Sequence, residues 1–183
     1  MSHPHDQSHD HSHDGVACEV AHGNVPVAAE DRTLIAVFAN PVAQYLLRYA
    51  ADAGYRPVLV EPDPELAQAA SESGLEVRAD IGSRPDAGTD VVVTDHHREE
   101  LGVMLRDALT TPARWVGIMG SPRHEAPHLQ ALALLGVAPD EISRVHRPIG
   151  LNIGSKTPPE IAISTLAGLI ADRNDRPGGF SFA

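Results

Sequence analysis

Little in this sequence can cross-link the chain or anchor it in a membrane. Cys18 is the lone cysteine among 183 residues, so no internal disulfide can form. Such usage fits a reducing compartment, and a cytoplasmic location is expected. No apolar run approaches the roughly 20 residues of a membrane-spanning helix, so membrane insertion is not expected. The first residues are His, Asp and Ser rather than a basic then apolar leader, so export is not expected either. Lysine is almost missing: Lys156 is the only one among 14 basic residues. With a formal net charge of −11, the chain repels a phosphate backbone, so no nucleic-acid partner is expected.

What is present suffices for one core. A hydrophobic content of 42% in 183 residues supports one substantial domain and is too little for two. Residues 1–30 stand apart from it. Their opening stretch, SHPHDQSHDHSHDG, has no apolar periodicity to offset the entropy of ordering, and a disordered tail is expected. A folded domain over 31–174 and a short C-terminal tail over 175–183 complete the expected organisation.

Between the tails, apolar runs alternate with helical patterns. Thr33–Phe38 reads as a strand buried on both faces. Asn40 then supplies an N-cap and Pro41 suits the first helical position, with Val42, Tyr45, Leu46, Tyr49 and Ala50 at helical spacing. A second strand runs from Pro57 to Val60. Asp63 and Pro64 open a second helix with Leu66, Ala69 and Ala70 on one face. A weaker strand at Leu75–Val77 precedes strands at Asp90–Thr94 and Arg114–Met119. Gly120-Ser121-Pro122 opens a helix that Pro127 should interrupt and restart. Thr157 and Glu160 form a capping box for the last helix. This alternation predicts a doubly wound, Rossmann-like three-layer α/β sandwich with a mainly parallel sheet in the order 3-2-1-4-5.

Ligands in such sheets bind beyond the carboxyl ends of the strands, where the strand order reverses. Asn40 follows strand one; Thr94, Asp95, His96 and His97 follow strand four; Gly120 and Ser121 follow strand five. Glu61 follows strand two, where nicotinamide-binding domains place an acid on the ribose. The alternative for Glu61 is a solvated charge at a strand end. The turn after strand one reads FANPVAQ, with no glycine to let the backbone approach a pyrophosphate, and Pro41 removes an amide donor. NAD(P) binding is therefore doubtful. For Asp95, His96 and His97 two readings stand: a metal or general-base site, or a cap on the following helix with both histidines in solvent. His3, His5, His9, His11 and His13 could bind a divalent metal, or belong to an inert solvating tail.

Two longer stretches carry a resemblance. WVGIMGSPRH (115–124) and RVHRPIGLNIGSKTPPEIAISTLA (144–167) resemble the signature segments of the Rossmann domain of the XdhC/CoxI family of molybdoenzyme maturation factors. His146, Pro148, Ile149, Gly150, Leu151, Ile153, Gly154, Thr157, Pro158, Glu160, Ile161 and Ala162 match the second segment. Asn152 replaces the family's usual Asp, FANPVAQ replaces a Gly-Ala-Gly-His-like turn, and the family's Cys-Gly-Gly-like motif does not occur in the sequence. The resemblance implies an accessory factor that binds or delivers molybdenum cofactor, or docks on the apoenzyme of a molybdenum hydroxylase. It adds His146, Gly150, Asn152 and Gly154 to the candidate cofactor-binding residues. An NAD(P)-dependent oxidoreductase and a non-catalytic binding module with a degenerate nucleotide site are the alternatives. The last helix is broadly apolar through Ile161, Ile163, Leu166, Leu169 and Ile170, which suggests burial or a homo-oligomer interface.

Overall fold

A computed structural model of the chain describes residues 32–179 other than 122 and 124. The expected N-terminal tail and its candidate ligands His3, His5, His9, His11 and His13 lie outside the described residues.

The sheet has six parallel strands in the order β3-β2-β1-β4-β5-β6. They are β1 (Thr33–Val37), β2 (Arg56–Val60), β3 (Glu76–Arg78), β4 (Thr89–Val93), β5 (Trp115–Ile118) and β6 (Val145–His146). The expected order holds, with β6 added at the edge beyond β5. That strand pairs only Val145 with Val116 and His146 with Gly117. Two residues carry no readable periodicity. β1 is central and wholly buried, with Ile35 registered on Val58 in β2 and on Val91 in β4.

The helices are α1 (Pro41–Asp52), α2 (Pro64–Ser71), α3 (Leu101–Leu109), α4 (Pro127–Leu134), α5 (Pro139–Ile142) and α6 (Pro158–Arg173). Successive strand residues point to opposite faces. Leu34 and Val92 accordingly meet Leu46 of α1 and Leu166 and Leu169 of α6 on one face. Ile35, Val37, Val91 and Val93 meet Met104 and Leu105 of α3 and Leu132 of α4 on the other. This is the expected three-layer sandwich. Most of the apolar width of α6 is spent inside it, and Ile163 remains 50% exposed.

Three local expectations are corrected. No helix starts at Ser121; α4 begins at Pro127. The guanidinium of Arg147 donates to the Ser121 and Glu125 carbonyls at 3.0 and 2.8 Å, satisfying acceptors that a helix would have used for its own amides. In α2, Leu66 is 42% exposed and no residue is buried, because this helix covers only the short edge strand β3 and its neighbour. The segment after α6 is not wholly a tail either. Arg176 donates its amide to the Ala171 carbonyl at 2.8 Å, and Gly178 lies against the Leu151 side chain.

Asp90 sits fully buried at the N-terminal end of β4, opposite the crevice. Its two oxygens accept from Arg114 Nε at 2.6 Å and Arg173 Nη2 at 2.9 Å. Arg114 also reaches Asp172 at 2.6 Å, so the cluster pins the C-terminal turn of α6 to β4 and β5. Arg173 also donates to the Gly88 carbonyl at 3.1 Å. Burial works against the Arg114 charge, yet Asp90 and Asp172 hold its pKa above the ordinary value.

Candidate functional site

The turn after β1 has closed its own anion site. Pro41 has no amide hydrogen. The Ala43 amide donates to Asn40 Oδ1 at 2.9 Å, and the Gln44 amide donates to the Asn40 carbonyl at 3.1 Å. Asn40 Nδ2 donates to Thr94 Oγ1 at 2.9 Å, joining the ends of β1 and β4 at the switch point. Thr94 Oγ1 in turn lies 2.8 and 2.9 Å from the Val37 and Phe38 carbonyls. Asn40 and Thr94 thus spend their polar groups on holding the crevice together.

Glu61 is fully buried, which corrects the expectation of a solvated charge. It accepts from the Ala39 amide at 2.7 Å and the Asp63 amide at 2.9 Å. Arg98 adds 2.9 Å and 3.3 Å bonds to its two oxygens. Both carboxylate oxygens are therefore engaged inside the protein. The bond to Glu61 is the main reason that the Arg98 pKa is raised, and the guanidinium also rests 4.7 Å from the Phe38 ring centroid. Phe38 holds a φ of +75°, uncommon for a bulky residue, as its chain turns to present the Ala39 amide to Glu61.

Asp95 does not cap α3, as the second reading of that segment had it. Its Oδ1 accepts from the His97 amide at 2.8 Å in a local turn, while Glu100 occupies the cap position without a side-chain bond. The His96 and His97 rings lie with centroids 4.0 Å apart and planes tilted by 40°. No group of three or more His, Cys, Asp or Glu placed to hold a metal occurs among the described residues.

An open cavity of about 690 Å³ lies at the carboxyl ends of β4 and β5. Thr94 and His96 enter it after β4; Gly120, Ser121 and Arg123 enter after β5. Residues 148–155 form its far wall, together with Ile161, Ser164 and Thr165 of α6. The topology has thus gathered Thr94, His96, Gly120, Ser121, Gly150, Asn152 and Gly154 around one space. Asn152 and Gly154 are exposed at its rim. Asn40, Glu61, Asp95 and His146 are not among its lining residues. His146 instead stacks on Trp115, with centroids 4.8 Å apart and planes 8° from parallel, beside a smaller cavity of about 230 Å³.

The far wall is held by a close crossing. Gly150, at φ +84°, lies so near α6 that a Cβ would stand 2.6 Å from Ser164 Oγ and 3.0 Å from the Thr165 amide nitrogen. Leu151 donates its amide to the Ser164 carbonyl at 3.0 Å, and Ser164 Oγ donates back to the Leu151 carbonyl at 2.5 Å. Sequence reasoning missed Arg98 and Arg147. Each reaches backbone or carboxylate partners more than twenty positions away, so no local spacing announces them.

Behind the loop gripped by Arg147, His128 is buried with Nδ1 unpartnered among the described residues. Burial, and then the nearby Arg147 charge, push its pKa below the ordinary value. The unfolded chain therefore takes up a proton near pH 6.5 that the folded chain resists, and this part of the stability is lost as pH falls below that value. His128→Leu should flatten the loss. Denaturation midpoints at pH 7.5 and 5.5 check this; equal drops in both proteins would refute it.

The model of the XdhC Rossmann domain matches residues 34–169, which take in all but the first residue of the sheet and both walls of the cavity. The chain belongs to this family. The uncharacterized protein YqeB of Escherichia coli strain K12 is 37% identical over 123 residues, covering 67% of this chain and 22% of that protein. A crystal structure described as a xanthine dehydrogenase from Bacillus halodurans aligns with a TM-score of 0.64 at 24% identity. The alignment covers 79% of this chain and 45% of that one, and at this identity it speaks to the fold alone. The chain thus spans about a fifth of the curated relative and under half of the solved one. Among the described residues no helix is long and apolar enough to cross a membrane.

Proposed function

We propose that this chain is an accessory protein for a molybdenum hydroxylase of the xanthine or carbon monoxide dehydrogenase type, with the crevice cavity as its site for molybdenum cofactor as cargo. The observation that carries the reading is that residues 148–155, within the longest stretch of family motif, form a wall of the cavity beyond the carboxyl ends of β4 and β5. Membership in the XdhC family supports the same class of partner. Val42, Met119, Ile149, Leu151, Ile153 and Ile161 give the cavity apolar walls that suit the flat body of a pterin. In this reading the protein shields and orients the cargo and docks on the apoenzyme; no bond-making step by its own residues is required.

The test is maturation of the partner. Asn152→Ala removes an exposed side chain and should cost under about 1 kcal/mol of stability. It should nevertheless reduce the pterin recovered with the purified protein and the activity gained by a co-expressed molybdenum hydroxylase. Unchanged maturation by the folded variant would remove the 148–155 wall from the site.

A nicotinamide-dependent reductase is the competing class, and the internal bonding at Ala39, Ala43 and Glu61 speaks against it. NAD and NADP should bind no tighter than about 0.1 mM, since the usual phosphate and ribose anchors are engaged within the protein. Micromolar affinity by calorimetry would reverse this ranking.

A further inference from the structure

The cavity differs in charge from the molecule that surrounds it. The chain carries 25 acidic residues against 14 basic ones. Among the described residues lining the 690 Å³ cavity there is no carboxylate, whereas Arg123 and His96 are there. Arg123 stands on the turn after β5, and its guanidinium makes no ion pair or hydrogen bond with the described residues. Arg78, Arg98, Arg106, Arg114 and Arg173 each hold a carboxylate; Arg48, Arg84 and Arg176 hold none among the described residues, but unlike Arg123 they do not line this cavity. An unpaired cation on a cavity whose described lining holds no acid is placed to meet a negative charge on a ligand.

Ser121 and Glu125, the described residues that bracket Arg123, are both tied to Arg147. The Arg147 guanidinium grips their carbonyls, and the Arg123 amide donates to Ser121 Oγ at 3.2 Å. Gly120 is tight against Arg147: a Cβ there would stand 2.8 Å from its Nε. The usual anion site of this fold, the β1 turn, has by contrast spent the Ala39, Ala43 and Gln44 amides internally. The crevice therefore offers its unpaired cation on the β5 side and no free amide at Ala39, Ala43 or Gln44 on the β1 side.

We propose that Gly120, Ser121 and Arg123 form an oxyanion subsite, which takes the phosphate of a flat organic phosphate monoester while the body of the ligand lies on Met119, Ile149 and Ile161. Arg123 supplies the charge-assisted bonds to the phosphate and Ser121 a hydroxyl beside it. The proposal rests on the cavity being the ligand site, and not on which cargo it carries. A ligand so held points its phosphate toward β5, the reverse of a dinucleotide whose phosphates sit over the β1 turn.

Calorimetry with the full chain tests it, with phenyl phosphate, inorganic phosphate and phenol as probes. Phenyl phosphate is expected to bind more tightly than inorganic phosphate, and phenol to give no detectable heat. Arg123→Gln should weaken phenyl phosphate by about tenfold or more, the usual worth of a charge-assisted contact. Arg48→Gln, an exposed position on α1 outside the cavity, should leave it unchanged. Equal weakening by both variants would mean charge attraction without a site, and would overturn the proposal. So would undiminished binding by Arg123→Gln, or no binding of either phosphate by the native chain. If phosphate binding fails while the molybdenum hydroxylase is still matured, the subsite falls and the accessory role stands; the opposite pair of results leaves the subsite and removes the partner.

Discussion

Asp90→Ala is expected to cost about 3–5 kcal/mol of folding stability, the range for breaking a buried ion pair from one side. The magnitude follows from what the substitution leaves behind. Asp90 is fully buried and answers two guanidiniums, with Arg114 at 2.6 Å and Arg173 at 2.9 Å. Arg114 would keep Asp172, but Arg173 would keep only the Gly88 carbonyl and its place 5.6 Å from the Tyr55 ring centroid. Arg114→Ala should cost clearly less, since Asp90 would still be held by Arg173. Denaturant midpoints of the two variants decide the matter; a larger loss for Arg114→Ala would show that packing of the guanidinium stem outweighs the charge. The ligand cavity lies at the other end of the strands, so residual folded Asp90→Ala protein should keep its binding.

How much of this was readable in advance depended on the range of the interaction. The central strands announce themselves as the continuous apolar runs LIAV and VVV, and the caps of α1 and α6 as Asn40-Pro41 and Thr157-Pro158-Pro159-Glu160. Placing Thr94, His96, Gly120 and Ser121 at one crevice needed only the strand order, because the carboxyl ends of parallel strands share an edge. Glu61 was located correctly in the chain but not in its environment. Its burial depends on Arg98, 37 positions away, and on the amide that Phe38 turns toward it. His146 was grouped with its neighbours in the motif, yet it is a residue of β6 whose ring lies on Trp115 rather than in the cavity. Chain neighbours on a strand point to opposite sides, and a two-residue strand hides that alternation.

Gly150→Ala should be the most damaging single-methyl change in the site, and Gly154→Ala is its control. Both glycines have positive φ, +84° and +70°, so alanine costs about 1–2 kcal/mol at either position through backbone strain alone. They differ in what the methyl meets. At Gly154 there is open space. At Gly150 the new carbon would stand 2.6 Å from Ser164 Oγ and 3.0 Å from both the Ser164 carbonyl carbon and the Thr165 nitrogen. The hydroxyl can turn aside, but the helix backbone cannot, and overpacking of this kind adds about 1–3 kcal/mol. Gly168 tightens the same crossing from below, since a Cβ there would stand 2.9 Å from the Gly150 Cα. The 150–155 wall must therefore lift from α6 in Gly150→Ala, breaking the paired bonds between Leu151 and Ser164 and opening the cavity. We expect Gly150→Ala to lose about 2–5 kcal/mol, the sum of those two costs, and to lose phenyl phosphate binding at temperatures where it is still folded. Gly154→Ala should lose only the strain and keep binding. Equal stability losses in the two variants would show that the wall tolerates displacement, and that its contact with α6 does not shape the site.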